Sequence, residues 1–175
     1  MPGTRIRPFK LKRTRKPAMI GITSAAFADH GDIPARHSGP GGNVSPPLSW
    51  STLPEETVSL AVICEDPDAR GPEEGFIHWI LFDVPPTIQG LPEGITPASL
   101  ERQVPGALQG VNTFGNVRYD GPAPPPGDGS HRYQFQVYAL DRWLDLRPGV
   151  TILAVLDVME GHIVGKGELV GLYRR

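Results

Sequence analysis

The sequence predicts a mainly β chain, folded as an antiparallel Greek-key β-sandwich with one short C-terminal helix. Three observations carry this. Glycine (21 residues) and proline (20 residues) together take nearly a quarter of the 175 positions, about twice the ordinary share. They follow no collagen-like period and they separate apolar runs, which excludes a long-helix bundle or a coiled coil. The apolar runs themselves are short and rich in β-branched and aromatic residues, as strands require. Helical spacing is convincing in a single segment near the C-terminus.

Taken in order, residues 19–23 read as a first strand, with Met19, Gly21 and Thr23 on one face and Ile20 and Ile22 on the other. Residues 29–47 are polar and rich in Gly and Pro, so they form a loop. Residues 58–65 (VSLAVICE) lack alternation and read as a strand buried on both faces. Residues 76–84 (FIHWILFDV) form a second such strand, closed by Pro85 and Pro86, and the link 66–75 between the two is turn-rich. Residues 87–130 are mostly irregular. In residues 133–140 (YQFQVYAL), Tyr133, Phe135 and Val137 face one way and Gln134 and Gln136 the other, a strand with one polar face. After Pro148 and Gly149, Ile152, Val155, Leu156 and Met159 recur at i, i+3, i+4, i+7, with Thr151 as N-cap and Gly161 ending the helix. Residues 167–173 (GELVGLY) supply a last short strand.

Composition bounds the rest. With 39% hydrophobic and 21% charged residues the chain holds enough apolar side chain for one core. One cysteine, Cys64, excludes an internal disulfide framework and a multi-cysteine zinc site. No apolar run approaches the ~20 residues that span a bilayer, so a soluble, cytoplasmic protein is expected. The net charge of -2 hides an asymmetry: residues 1–17 carry seven positive charges and no acid, while the rest sets ten Lys/Arg against all nineteen Asp/Glu. Such a basic arm suits contact with nucleic acid or anionic lipid; as a tail it reads more simply as a solvated, flexible leader to a domain over residues 18–175, and no specific nucleic-acid partner is expected. Residues 13–28 have the outline of a signal peptide, but Gly21, Thr23 and Ser24 break the apolar stretch, and a strand fits it as well or better.

Phosphate-loop, dinucleotide, nucleophile-elbow and zinc-protease motifs are absent. What remains is a scattered polar set at strand ends. Asp66 and Asp68 flank Pro67; two apart in an extended segment, their carboxylates would point to the same side. His78 lies two residues into an apolar strand, where an unpaired imidazole is costly. His131 shares a strand face with Tyr133. If the link 66–75 folds back, Asp66 and His78 fall at one sheet edge, where His131 and Tyr133 can join them. Two imidazoles and a phenol make a compact donor set for a phosphate or carboxylate, with the Asp carboxylates fixing imidazole tautomer and charge. Singly, each of these residues is equally an ordinary turn, core histidine or strand aromatic.

An ordered series of motifs adds to this reading: Thr23-Ser24 through Phe27 with Ile33-Pro34-Ala35-Arg36, NVSPPLSW at 43–50, Asp66-Pro67-Asp68-Ala69 and His78-Trp79. These are followed by Asn112 with Phe114-Gly115, Tyr119-Asp120-Gly121-Pro122, Pro124-Pro125-Pro126-Gly127, His131-Arg132-Tyr133 with Val137-Tyr138-Ala139-Leu140, and Glu160-Gly161-His162 before the final strand. In this order the motifs resemble the phosphatidylethanolamine-binding protein family, in its bacterial and archaeal Raf-kinase-inhibitor-like branch, over about residues 19–173. The resemblance implies a β-sandwich with a small anion pocket at one end. It places that pocket on Asp66, Asp68, His78, His131 and Tyr133, with Pro67 and the loop 121–126 (Gly121 and Pro122 among it) as rim, and it implies that residues 18–28 belong to the fold. Two departures stand out: Arg70 where the family usually has Pro, and an altered loop at 37–41. His162 is assigned a structural role.

The residues and the resemblance together lead to an expectation of non-enzymatic binding of a phosphate-bearing small molecule, a phospholipid head group or a phosphorylated side chain, with no cofactor or resident metal. The alternative is a metal-assisted phosphoester hydrolase in which Asp66, Asp68, His78 and His131 hold a divalent ion. The family's names further imply regulation of a kinase or protease through the surface. A homodimer is expected by base rate alone.

Overall fold

Strand β5 (Ser59–Asp66) and strand β6 (Phe76–Val84) are almost wholly buried, because the sheet that contains them is covered on both faces. The computed structural model describes residues 15–73 and 75–175. Around these two strands it arranges β1 (Ala18–Met19), β2 (Ile22–Thr23), β3 (Gly31–Asp32), β4 (Leu48–Trp50), β7 (Gly90–Leu91), β8 (Leu108–Gln109), β9 (His131–Leu140) and β10 (Ile163–Tyr173). The larger sheet runs β1-β10-β9-β5-β6-β8, with β3 also pairing β10; β2, β4 and β7 form a smaller sheet. Pairing is antiparallel except where β1 and β3 run parallel to β10.

One apolar core lies between the sheets, where Ile22, Leu48, Trp50 and Leu91 meet Val62, Trp79, Leu81, Phe135, Val137 and Leu169. A second lies on the opposite face of the large sheet, where Ala61, Ile63, Ile80, Phe82 and Leu140 receive Ile152, Val155 and Met159 of helix α2 (Ile152–Met159). Strands covered on both faces need apolar side chains at every position, which is why 58–65 and 76–84 show no alternation. The helix forms where its periodicity predicts and buries Ile152, Val155 and Met159, while Leu156, expected on the same face, is exposed; Thr151 Oγ1 caps it by accepting from the Ala154 N–H.

Four expectations are refined. The strand expected over 19–23 keeps its alternation, with Ile20 and Ile22 buried and Met19 exposed, but it splits: β1 pairs with β10 in the large sheet and β2 with β4 in the small one. Residues 87–130, expected as irregular, contain β7, β8 and a four-residue helix, α1 (Leu100–Gln103); the loop 29–47 contains β3. The last strand starts at Ile163, four residues early. Close packing demands glycine within it: a Cβ at Gly167 would lie 2.1 Å from the Ile20 carbonyl oxygen. Of the basic arm expected over 1–17, only 15–17 fall within the described residues, where Arg15 pairs with Glu56 at 3.2 Å. Among the described residues no helix is long and apolar enough to cross a membrane.

Because backbone cannot yield to a new methyl, Gly167→Ala is expected to cost about 1–3 kcal/mol in chemical denaturation. Gly21→Ala, whose Cβ would meet nothing nearer than 3.5 Å, is expected to cost less than about 1 kcal/mol. Equal losses for the two would contradict this packing.

Candidate functional site

Strand β5 stops at Asp66 because its side chain takes over from the ladder. Asp66 Oδ1 accepts from the N–H groups of Asp68 (2.8 Å) and Ala69 (3.0 Å), an Asx-type turn. Its other oxygen, Oδ2, accepts from His131 Nδ1 at 2.7 Å, at the start of β9. His131 Nε2 reaches Asp128 Oδ2 at 2.8 Å. An ionised carboxylate only accepts, so this arrangement favours the imidazolium, which alone can donate from both ring nitrogens. Burial by itself would lower the His131 pKa, but the hydrogen bonds that it donates to Asp66 and Asp128 outweigh it and hold the value above that of an ordinary histidine.

His78, on β6, is in the opposite state. Burial lowers its pKa despite a hydrogen bond to the Asp120 carbonyl, so the ring is neutral, with Nδ1–H donating to Asp120 O at 2.7 Å. Nε2 is then an acceptor. The Asp120 carbonyl is held in place by its own side chain, which accepts from Asn43 Nδ2 (2.9 Å), Asn112 Nδ2 (2.8 Å), Asn116 Nδ2 (2.8 Å) and Arg118 Nε (3.1 Å). Burial opposes ionisation there, and these donors together prevail and lower the Asp120 pKa.

These groups line a cavity of about 420 Å³ whose walls include Asp66, Arg70, Phe76, His78, Phe114, Pro124, Asp128, His131 and Tyr133. Its aromatic side is continuous. His78 lies 5.1 Å from Tyr133 and 5.5 Å from Phe114, ring centre to ring centre, and Phe76 lies 5.2 Å from both His78 and Phe114. Burial and the nearby Asp66 carboxylate push the Tyr133 phenol far up, so it remains a neutral O–H donor. The cavity thus combines one imidazolium, one exposed guanidinium, a phenol and apolar rings.

Four of the residues singled out in the sequence meet here: Asp66, His78, His131 and Tyr133. The other four do not line the cavity. Asp68 turns to Arg132, accepting from its backbone N–H (2.8 Å), Nε (3.0 Å) and guanidinium NH2 (2.8 Å); these bonds hold its pKa low. The extended geometry that would have placed both carboxylates on one side ends at Asp66, where the Asx turn begins. Pro67 is exposed on that turn. Gly121 and Pro122 are buried behind the rim, where the Gly39 N–H donates to Pro122 O (2.8 Å) and the Tyr119 hydroxyl to His37 O (2.6 Å). The altered loop 37–41 therefore buttresses the rim from outside, and the rim itself is formed by Ala123, Pro124 and Pro125. His162 bonds Asp141 at 2.7 Å, away from the cavity. Sequence reasoning missed Phe76, Phe114 and Asp128. Phe76 lies two residues before His78 on the same strand face, a signal that was available; Phe114 and Asp128 arrive on loops. Among the described residues no group of three or more His, Cys, Asp or Glu is arranged to hold a metal ion.

The phosphatidylethanolamine-binding protein model matches residues 23–174, and the chain belongs to that family. A UPF0098 protein from Methanothermobacter thermautotrophicus is 47% identical over 156 residues, 89% of this chain and 99% of its own. An Aquifex aeolicus UPF0098 protein is 38% identical and matches 100% of this chain and 99% of its own. Among solved structures, Escherichia coli YbcL, a member of the same family, superposes with a TM-score of 0.82 at 31% identity, covering 89% of this chain and 98% of its own. The family homologue CT736 from Chlamydia trachomatis gives 0.79 at 40% identity, covering 91% and 99%.

A histidine held above its unfolded pKa contributes its full stabilisation below the ordinary value of about 6.5 and loses it as pH rises through the raised value. The stability gap between wild type and His131→Gln is therefore expected to be widest near pH ~6 and to narrow towards pH ~9. Denaturation midpoints across pH measure this; a gap that widens with pH would contradict the imidazolium assignment.

Proposed function

We propose that this protein is a non-enzymatic binding module whose cavity takes the phosphate of a small molecule, a phospholipid head group or a phosphorylated side chain. The observation that carries this reading is the His131 imidazolium at the cavity floor. Its side chain is 5% exposed, its Nε2 faces the Asp128 carboxylate at 2.8 Å, and Arg70 lines the same cavity. An imidazolium has no lone pair to offer a metal, and its N–H together with the guanidinium and the Tyr133 hydroxyl supplies donors for phosphate oxygens. His78, as a neutral acceptor, suits an ammonium group carried beside the phosphate. The apolar walls of Phe76 and Phe114 suit the carbon chain of an ester.

Among the described residues that line the cavity there is no serine, threonine, cysteine or lysine, and Ser130, which precedes His131 on the chain, is exposed outside it. Regulation of a kinase or protease would act through the outer surface and is not needed for this reading.

Calorimetric titration of the metal-depleted protein with inorganic phosphate and O-phosphoethanolamine tests it. Wild type is expected to bind saturably, and the variant combining His78→Ala and His131→Ala not at all. Arg70→Ala, which leaves the buried contacts intact, is expected to bind about three- to tenfold more weakly. Absence of binding by wild type, or undiminished affinity in the double variant, would overturn the assignment.

A further inference from the structure

The imidazolium of His131 is held by two carboxylates that are not equivalent. Asp66 is fixed: it is buried, ends a strand, and spends its second oxygen on two backbone N–H groups. Asp128 stands at the mouth with its side chain 45% exposed, against 5% for His131, and it occupies the Nε2 edge that an entering anion must reach. It sits on a short turn between two glycines. Gly127 and Gly129 on either side adopt φ of +81° and +84°, and a Cβ at either would meet nothing within 4 Å. The neighbouring backbone bonds are long, 3.2 Å from the Asp128 N–H to Pro125 O and 3.3 Å from the Gly127 N–H to Arg175 O.

We propose that Asp128 is a tethered competitor for the anion site, which sets the affinity threshold of the pocket and selects phosphate dianions over monoanions. The inference rests on the anion-pocket reading above. A ligand gains the His131 Nε2–H bond only by displacing one that already exists with the Asp128 carboxylate, so a monocarboxylate exchanges like for like and gains nothing. A phosphate monoester dianion brings more charge and more acceptor oxygens; it can take Nε2 and Arg70 together, while Asp128 swings into water on its two glycines. Left in place, Asp128 would face the bound anion as a like charge.

The test compares wild type, Asp128→Asn and Asp157→Asn by calorimetry with inorganic phosphate and with acetate. Asp157 is an exposed residue on α2, on the other face of the large sheet, and controls for total charge. Asp128→Asn is expected to bind phosphate about tenfold more tightly and to bind acetate measurably, which narrows the preference between them; Asp157→Asn should match wild type. Unchanged or weaker phosphate binding in Asp128→Asn, with wild type binding, would overturn the competitor and leave the pocket standing. An equal gain in Asp157→Asn would reduce the effect to net charge and overturn it likewise. Failure of all three proteins to bind phosphate would overturn the pocket and the competitor together.

Discussion

The 2.7 Å contact between Asp66 Oδ2 and His131 Nδ1 joins the end of β5 to the start of β9, and the rest of the site is laid out from it. Placing a charge where water is excluded is costly unless a partner of opposite sign is held with good geometry. Here the partner is held by the fold itself, because Asp66 must also cap the turn that ends its strand. The same turn projects Ala69 and Arg70 over the cavity and sends Asp68 outward to the fork of Arg132. One residue later on β9, the alternation that directs Arg132 to solvent returns Tyr133 to the cavity, against the face of His78. A single ion pair between adjacent strands thus sets the charge of the floor, the position of the mouth cation and the orientation of the phenol.

A second centre, Asp120, does for the neutral histidine what Asp66 does for the charged one. It lies on a segment with no regular structure, and four side-chain donors from residues 43, 112, 116 and 118 hold it beside β6. Irregular backbone can position a catalytic or binding atom only when its polar groups are satisfied in this way. The result is two imidazoles within one cavity in different protonation states, one giving hydrogen bonds and one able to accept. That division follows from their surroundings: carboxylates on both nitrogens of His131, a carbonyl and apolar rings around His78. The rigid strands of the two-faced sheet supply the floor, and loops supply the rim. Asp128 belongs to the rim, which is why it alone among the charged groups touching His131 has room to move.

Much of this was legible in the sequence wherever one local rule governed the outcome. Residues 76–84 and 152–159 form the expected strand and helix to the residue, because an uninterrupted apolar run and a 3.6-residue period each admit one solution. The early start of β10 was not legible. Gly165 and Gly167 are unfavourable in an isolated strand, and only neighbours distant in sequence make them fit: the Ile20 backbone against Gly167, and side chains of Ile20, Pro54 and Ala139 against Gly165. Likewise the switch of residues 18–23 from one sheet to the other depends on partners distant in sequence. At the site, Asp66, His78, His131 and Tyr133 could be read because they sit at the ends of recognisable strands and match a family pattern. Asp68 was misplaced by extending strand geometry one turn too far. Asp128 was invisible for a physical reason: an Asp between two glycines reads as an ordinary turn, and its contact with His131 exists only once the loop is closed over the floor.

The central claim is the pair of protonation states, and nitrogen-15 NMR of the imidazole rings addresses it most directly. At neutral pH the account predicts that His131 carries hydrogen on both nitrogens, while His78 shows Nδ1–H and an unprotonated Nε2. Addition of phosphate should perturb His131 Nε2 and leave His131 Nδ1, still bound to Asp66, nearly unchanged. A neutral His131, or a charged His78, would contradict the account at its root.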